Sequence, residues 1–508
     1  MISKLPHRVI DVGVEPPRLV IENAGNNSYV ALSYCWGESQ LIMLTTQSMS
    51  ILTKGIDVKM LPRTIQDAIT VTRRLRQQYL WVDALCVLQD DGTARAQDIS
   101  NMHDIYANAF ITICASSAVK CSDGFLKDFT NSFPSAIRVP FHPPESTAGT
   151  ILLRKQLSIV SRWRTPLDVR AWAYQEAALS PRKLIFDSIV YLECSHTPLK
   201  SRWMSYNPLT KPVEYEIFNV TLYFTPDNNN DQEYRLVAVD IFNGPQLSSA
   251  LNESMIDAQD DWEHHVSQYS LRKLTREEDK LSAFAGLAAE FARRTGFRYL
   301  AGLWQETLSV DLLWQVSPPT RCTRLQTRRA PSWSWASVDG TIALSTIRDL
   351  RSHDSFSAPY FSEVRFVLEI LTVVCTPVFN DSIYGENLEG VIRVRGYLIP
   401  VCYVGKRGFS EGFETRLPDI DGAETSSRNS INVRVTLDTI DDIASAEGKL
   451  QPEYWALPVT TSYHQGLVLS RCSPEFYRRV GCFDEAYGLQ GELESRQSTF
   501  EPVILDII

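Results

Sequence analysis

The chain has 508 residues, of which 44% are hydrophobic and 22% charged, and a formal net charge of −10. At roughly 100–200 residues per domain this length suggests about two to four domains, and the acidic balance argues against nucleic acid and anionic membranes as main partners, since both need a dense basic surface. The longest apolar stretch, Phe366 to Cys375, is interrupted by Glu369 and is about half the roughly twenty residues a membrane span needs. Met1 to His7 lack the apolar core of a secretory signal. The ten cysteines are scattered without a C-x-x-C pair, so reduced thiols and a cytoplasmic location are expected.

In chain order, Tyr29 to Tyr34 is a short β-prone run that stops at Gly37. Pro62 then opens a helix with Ile65, Ala68, Ile69, Thr72 and Leu75 at helical spacing, and Thr64 and Asp67 are placed for a capping box. Tyr79 to Val82 reads as a second strand. The polar loop Gln89 to Thr93 leads into a helix with Ile99, Met102, Tyr106 and Ala109 on one face, and Phe110 to Ala115 reads as a third strand. Strands separated by helices imply a parallel, layered α/β sheet. Residues 118–160 read as a long irregular connection. Arg170 to Ala178 reads as a helix, followed by strands at Lys183–Phe186 and Ile189–Leu192. Residues 200–270 are mixed, with a soft spot at Pro226 to Asn230. A helix is expected over about 277–294, and strand-like alternation dominates from about 360, with a flexible insert near 410–430. The expected domains are therefore 1–200 (α/β), 201–355 (mixed, mainly helical) and 356–508 (β-rich).

Parallel sheets collect their functional groups at the carboxyl ends of the strands. Here the three ends are Ser33-Tyr34-Cys35-Trp36-Gly37, Asp83-Ala84-Leu85-Cys86 running on to Gln89-Asp90, and Ala115-Ser116-Ser117. For any one residue the competing reading is structural: Asp83 as a cap, Cys35 and Cys86 as buried spacers, and Trp36 as core. The coincidence of three ends favours a site. Arg170, Trp172, Gln175 and Glu176 add a helix on which Trp172 and Glu176 share a face. A carboxylate desolvated by an indole suits acid/base work; the alternative is a surface pair of Glu176 with Arg170 or Arg182. Cys86 and His103 are a weaker candidate nucleophile and base. His264-His265 diverge on a helix and make a poor metal site; no metal is expected. G-x-G-x-x-G, Walker A and H-E-x-x-H patterns are absent from the sequence.

Leu32 to Gly37, Leu61 to Ile69, Leu80 to Asp91, Met102 to Ala109 and Arg170 to Arg182 together resemble the fungal heterokaryon incompatibility (HET) domain in order and spacing. Asp279-Lys280-Leu281, Ala301 to Trp304 and Pro331 to Ser337 resemble the region that follows it in long HET proteins. Ala171 stands where the family has Gly, and Asp98 where it has Glu. The resemblance implies a TIR-like or flavodoxin-like, mainly parallel α/β sheet, and a role in non-self recognition and programmed cell death. By analogy with TIR domains it implies NAD or another nucleotide as a substrate, with Glu176 or Asp83 stabilising a ribosyl transition state and Trp36 stacking on a base. Other incompatibility proteins and further copies of the chain are the implied macromolecular partners. Two alternatives stay open: a secondary-metabolite tailoring enzyme using the same strand-end pocket on a small molecule, and a non-catalytic interaction module.

Overall fold

A run of apolar residues with both faces buried is what a central parallel strand needs, and Tyr29–Ser33 is buried at every position. The computed structural model describes residues 5–21, 27–37, 42–127, 137–141, 149–153, 165–187, 190–194, 222–226, 234–238, 255–325, 329–345, 366–377, 384, 385, 387–407, 410–415, 431–447, 453–460, 465–485 and 501–508. These divide into two compact units, Met1–Ser249 and Ala250–Ile508. Among the described residues no helix is long and apolar enough to cross a membrane.

The first unit is built from β1 (Arg8–Asp11), β2 (Arg18–Ile21), β3 (Tyr29–Ser33), α1 (Met49–Leu52), α2 (Arg63–Arg74), β4 (Tyr79–Trp81), α3 (Asp83–Cys86), α4 (Gly92–Ser100), α5 (Met102–Asn108), β5 (Ile111–Cys114), β6 (Ile137–Phe141), β7 (Gly149–Leu153), α6 (Ala171–Leu179), β8 (Arg182–Phe186) and β9 (Val190–Cys194). Seven strands form one sheet in the order β2-β1-β4-β3-β5-β8-β9. The four central strands, β4, β3, β5 and β8, are mutually parallel. Antiparallel strands β1 and β2 complete one side and antiparallel β9 the other. The parallel direction brings the ends of β3, β4, β5 and β8 to one edge, as the alternation of strands and helices predicts.

Two expectations need correction. Thr64 and Asp67 do not cap α2. The N-cap is Pro62, whose ring offers no hydrogen-bond acceptor, and both residues are buried and turned to the loop after β5. Thr64 Oγ1 accepts from the Gly124 N–H at 3.2 Å, and Asp67 Oδ2 accepts from Phe125 and Leu126 at 2.8 and 3.0 Å. The segment 118–160 is also less irregular than its prolines imply, because β6 and β7 form an antiparallel hairpin that includes Pro140. Residues 227–230 of the expected soft spot lie outside the described residues, as do 416–430 of the expected flexible insert.

In the second unit, 3-10 turns at Glu277–Lys280 and Ser282–Phe284 replace the first half of the expected helix, and α-helix begins at Ala285 and ends at Thr295. At this break the buried Lys280 ammonium donates to the Val338 carbonyl at 2.5 Å and to Asp339 at 3.2 Å. Trp333 and Trp335 are fully buried and donate to the Gly390 and Gly302 carbonyls, so both are core anchors. The β-rich end is a nine-stranded sheet. Six of its strands close on themselves: Phe476–Glu485, Asn432–Leu437, Ser410–Thr415, Ile399–Arg407, Tyr454–Pro458 and Gly466–Arg471, which pairs back to Phe476–Glu485. Val401, Phe413, Val433, Val435, Ala456, Val468, Val480 and Phe483 share its buried core, as expected of a small barrel filled by side chains.

Candidate functional site

The chain leaves β3 through Ser33, Tyr34, Cys35 and Trp36. Gly37 makes the turn with φ +81°, and a Cβ there would meet the Lys120 Cβ at 2.6 Å, so the close approach of the 119–126 loop requires glycine. The Cys121 N–H reaches the Trp36 carbonyl at 3.3 Å, and Phe125 packs on Phe186 at the end of β8. This loop, held from below by Thr64 and Asp67, fixes the exit from β3.

Trp36 donates its indole N–H to Asp83 Oδ2 at 2.8 Å, joining the ends of β3 and β4. Asp83 Oδ1 accepts from the following Ala84 N–H at 2.7 Å. Burial pushes the Asp83 carboxyl up; Arg170 opposes this most strongly, followed by the hydrogen bonds from Trp36, Ala84 and Tyr34. Arg170, at the N-cap of α6, donates to the Tyr34 carbonyl and so lies over the β3 exit, where its charge acts on Asp83, Glu176 and Cys35.

Glu176 projects from α6 and is 3% exposed. It does not form the surface pair that the structural alternative required: Arg182 instead donates to the Phe110 carbonyl at 2.6 Å and stacks on that ring. Burial raises the Glu176 carboxyl to about 7, against the opposing pull of Arg170 and the nearby Ser33 and Tyr106 hydroxyls. Its Oε2 is buried without a hydrogen-bond partner. Tyr106 reaches this point because Trp81 packs on its ring edge-on at 5.5 Å and its hydroxyl donates to the Leu32 carbonyl at 3.2 Å. Two carboxyls, one guanidinium and an indole are therefore held together at the carboxyl ends of parallel strands. The part-exposed Trp36 and Asp83 lie on the solvent side and Glu176 lies within.

The other expected residues are placed differently. Cys35 is buried, and burial raises its thiol, partly offset by Arg170. Cys86 is packed in the core, and burial pushes its thiol up to about 12, which holds it protonated and opposes use as a nucleophile. His103 is half-exposed, with Nε2 3.4 Å from Asp104. The burial of Cys86 therefore weakens the expected nucleophile–base pair. Gln89 bonds backward to the Val87 carbonyl at 3.0 Å and more weakly to that of Asp83, while exposed Asp90 takes the Thr46 N–H and hydroxyl; both shape the loop after α3. Gln175 is buried and Trp172 packs half-buried against the core. Sequence reasoning placed Ser33 at a strand end without giving it a role, and it missed Tyr106, which reads as an ordinary helix-face residue. It also missed Arg8, which fastens the Cys86 carbonyl at 2.7 Å and the Asp98 carboxylate. Asp98 also accepts from the Leu88 N–H at 3.1 Å, so it anchors α4 to the end of α3. A shallow depression of about 510 Å³ lined by Glu15, Pro16 and Lys54 to Lys59 shares no residue with the cluster. Among the described residues no group of His, Cys, Asp and Glu is arranged to hold a metal ion.

Comparison with known proteins places this cluster in a family context. A family model described as heterokaryon incompatibility protein (HET) matches residues 29–176, from the first residue of β3 to Glu176 itself. Heterokaryon incompatibility protein 6, OR allele, of Neurospora crassa is 31% identical over 93 residues, a stretch that covers 16% of this chain and 13% of that protein. No solved structure matches the chain. Residues 29–176 thus carry a HET domain.

Proposed function

We propose that this chain is an effector of fungal non-self recognition whose HET domain hydrolyses NAD or a related nucleotide at the β3–β4 edge, with programmed cell death as the outcome. The recognition role is supported by the HET domain and by the likeness to an incompatibility protein of N. crassa. The TIR-like reading of the fold is supported by the strand order: taken in chain order, the four parallel strands lie second-first-third-fourth across the sheet, as they do in flavodoxin-like sheets.

The observation that carries the chemistry is Glu176, a carboxyl buried at the sheet edge with a free oxygen and an affinity for protons raised to about 7. A group poised near the working pH is suited to proton transfer. In the proposed reaction the ribosyl C1′–N bond breaks, and its electron pair leaves on neutral nicotinamide. Asp83, in the carboxylate form that Arg170 and Trp36 favour, offsets the positive charge developing on the ribosyl group, as carboxylates do in glycoside cleavage. Water then adds to C1′ and gives its proton to ionised Glu176. Trp36 offers an aromatic face at the mouth of the site.

The test is release of nicotinamide from NAD by the purified full chain over a range of protein concentrations, with Glu176→Gln and Asp83→Asn alongside. Turnover that rises with self-association and falls by about 10²-fold or more in each variant is expected. No turnover at any concentration removes the cleavage reading; turnover indifferent to both changes removes the residue assignment.

A further inference from the structure

A strand at the edge of a sheet holds a row of N–H and C=O groups toward open space, and proteins protect such edges with charge, proline, bulges or closure. In the second unit the six-stranded ring protects its own edges by closing. Three strands of the same sheet lie outside the ring, in the order Glu369–Pro377, Asn387–Gly396 and Val503–Ile507, the last of which joins Phe476–Glu485. Among the described residues, Glu369–Pro377 pairs with Asn387–Gly396 and with no other strand, so its far side is an open edge. The usual protection stands only at the two ends of this strand. Register shifts fall between Ile370 and Thr372 and between Thr376 and Pro377, with Glu369 at the start and Pro377 at the finish. Between them Thr372-Val373-Val374-Cys375-Thr376 keeps unbroken register, carries no charge and is rich in β-branched residues. Thr372, Val374 and Thr376 are exposed, Val374 by 60%. Arg393, the charged residue opposite Thr372, does not guard the edge, because a two-point ion pair at 2.7 and 2.8 Å holds it to Asp506 on the other side.

We propose that the edge Thr372–Thr376 pairs antiparallel with the same edge of a second copy of the chain. The segment is complementary to itself. A two-fold axis through Val374 sets Val374 against its own counterpart, Thr372 against Thr376 and Val373 against Cys375. Threonines opposite each other hydrogen-bond across strands, and β-branched side chains opposite each other pack. No charge meets its like, because Glu369 of each copy lies beyond the paired run. A charged partner peptide finds no opposite charge on these five residues, whereas an identical strand finds a match at each of them. The join makes one continuous sheet of the two three-stranded arms and leaves each ring closed. So short a paired run buries little area, so the association is weak and set by concentration. It does not depend on the proposed NAD cleavage.

The experiment is sedimentation of the purified full chain over the micromolar to sub-millimolar range, with Val374→Lys and Ile504→Lys alongside. Ile504 is 57% exposed on the same face of the arm, but two strands in from the edge. Wild type and Ile504→Lys are expected to pass from monomer to dimer as concentration rises. Val374→Lys sets like charges directly opposite each other and is expected to weaken the dimer by about tenfold or more. Val374→Cys gives a second reading that does not depend on the lysine variant folding. Directly opposed residues of an antiparallel pair have Cα atoms about 4.5–5.5 Å apart, which is within disulfide reach. Mild oxidation is therefore expected to link two copies through residue 374 well above the wild-type level, for which the exposed Cys472 is the internal control. Wild type that stays monomeric throughout the range overturns the proposal. So does a dimer that Val374→Lys leaves intact or that Ile504→Lys weakens equally, and so does a Val374→Cys chain that links no more than wild type.

Discussion

The Trp36 indole N–H and the Asp83 carboxylate, 2.8 Å apart, tie the ends of two neighbouring parallel strands together. Trp36 is thus a positioning group for a carboxyl as well as an aromatic surface. In Trp36→Phe the ring remains and the donor is lost. Asp83 is then expected to titrate at higher pH, and the domain to lose about 1–2 kcal/mol, the usual effect of removing a hydrogen bond to a charged group. Carboxyl-carbon NMR titration of Asp83 and urea unfolding measure the two effects. An unmoved titration means that the indole N–H does not help to hold the charge.

Glu176 makes stability depend on pH in a defined direction. Its carboxyl is raised from 4.5 to about 7 in the folded chain, so between those values the folded state holds a proton that the unfolded state has released. The contribution of this group to stability is complete below about pH 4.5 and is lost as pH rises through 7. Glu176→Gln removes the penalty of ionising a buried carboxyl. It is expected to be more stable than wild type by on the order of 2 kcal/mol at pH 8 and equal to it at pH 4.5. Denaturant midpoints at the two pH values test this, and a difference that does not change with pH contradicts it.

Asp67 holds the loop that fixes the β3 exit by accepting two backbone N–H groups. Asp67→Ala leaves both without a partner and is expected to lower stability by about 2–4 kcal/mol. Amide exchange at Phe125 and Leu126 should quicken more than exchange in β3. Uniform quickening would mean that the clamp has no local role.

Arg479 in the second unit is fully buried. Its guanidinium takes both oxygens of Asp438 at 3.2 Å, donates to the Leu312 and Trp314 carbonyls, and lies 3.4 Å from the centre of the Trp314 ring. Asp438→Ala strands a buried cation and is expected to lower stability by about 3–5 kcal/mol. The double change Arg479→Met, Asp438→Ala is expected to recover part of that loss, and a denaturation cycle across the single and double variants reads the coupling.

The site was legible as a location because direction along the chain is local information. Short apolar runs alternating with amphipathic helices force parallel pairing, and parallel pairing puts Tyr34 to Gly37, Asp83 and Ser117 on one edge whatever the rest of the chain does. The Arg170 to Glu176 helix was legible for the same reason, since its spacing and composition are local. The capping box at Thr64 and Asp67 misled, because the same two side chains serve a loop some sixty residues away in sequence. The sequence alone also left open whether Glu176 was a surface partner of an arginine or a desolvated acid.

What the sequence by itself determined is thus the α/β order, the edge at which polar groups collect and the presence of a HET domain. Only the tertiary structure decided which of those groups meet, and how strongly each is desolvated. Arg170 and Tyr34, 136 residues apart, come into contact, Ser33 turns from a strand residue into a neighbour of Glu176, and Cys86 is sealed into the core. The closing of the six-stranded ring belongs to the same level. The reason is physical: a side chain's charge depends on its desolvation and on the charges and dipoles around it, and those are contributed by segments that only folding brings together.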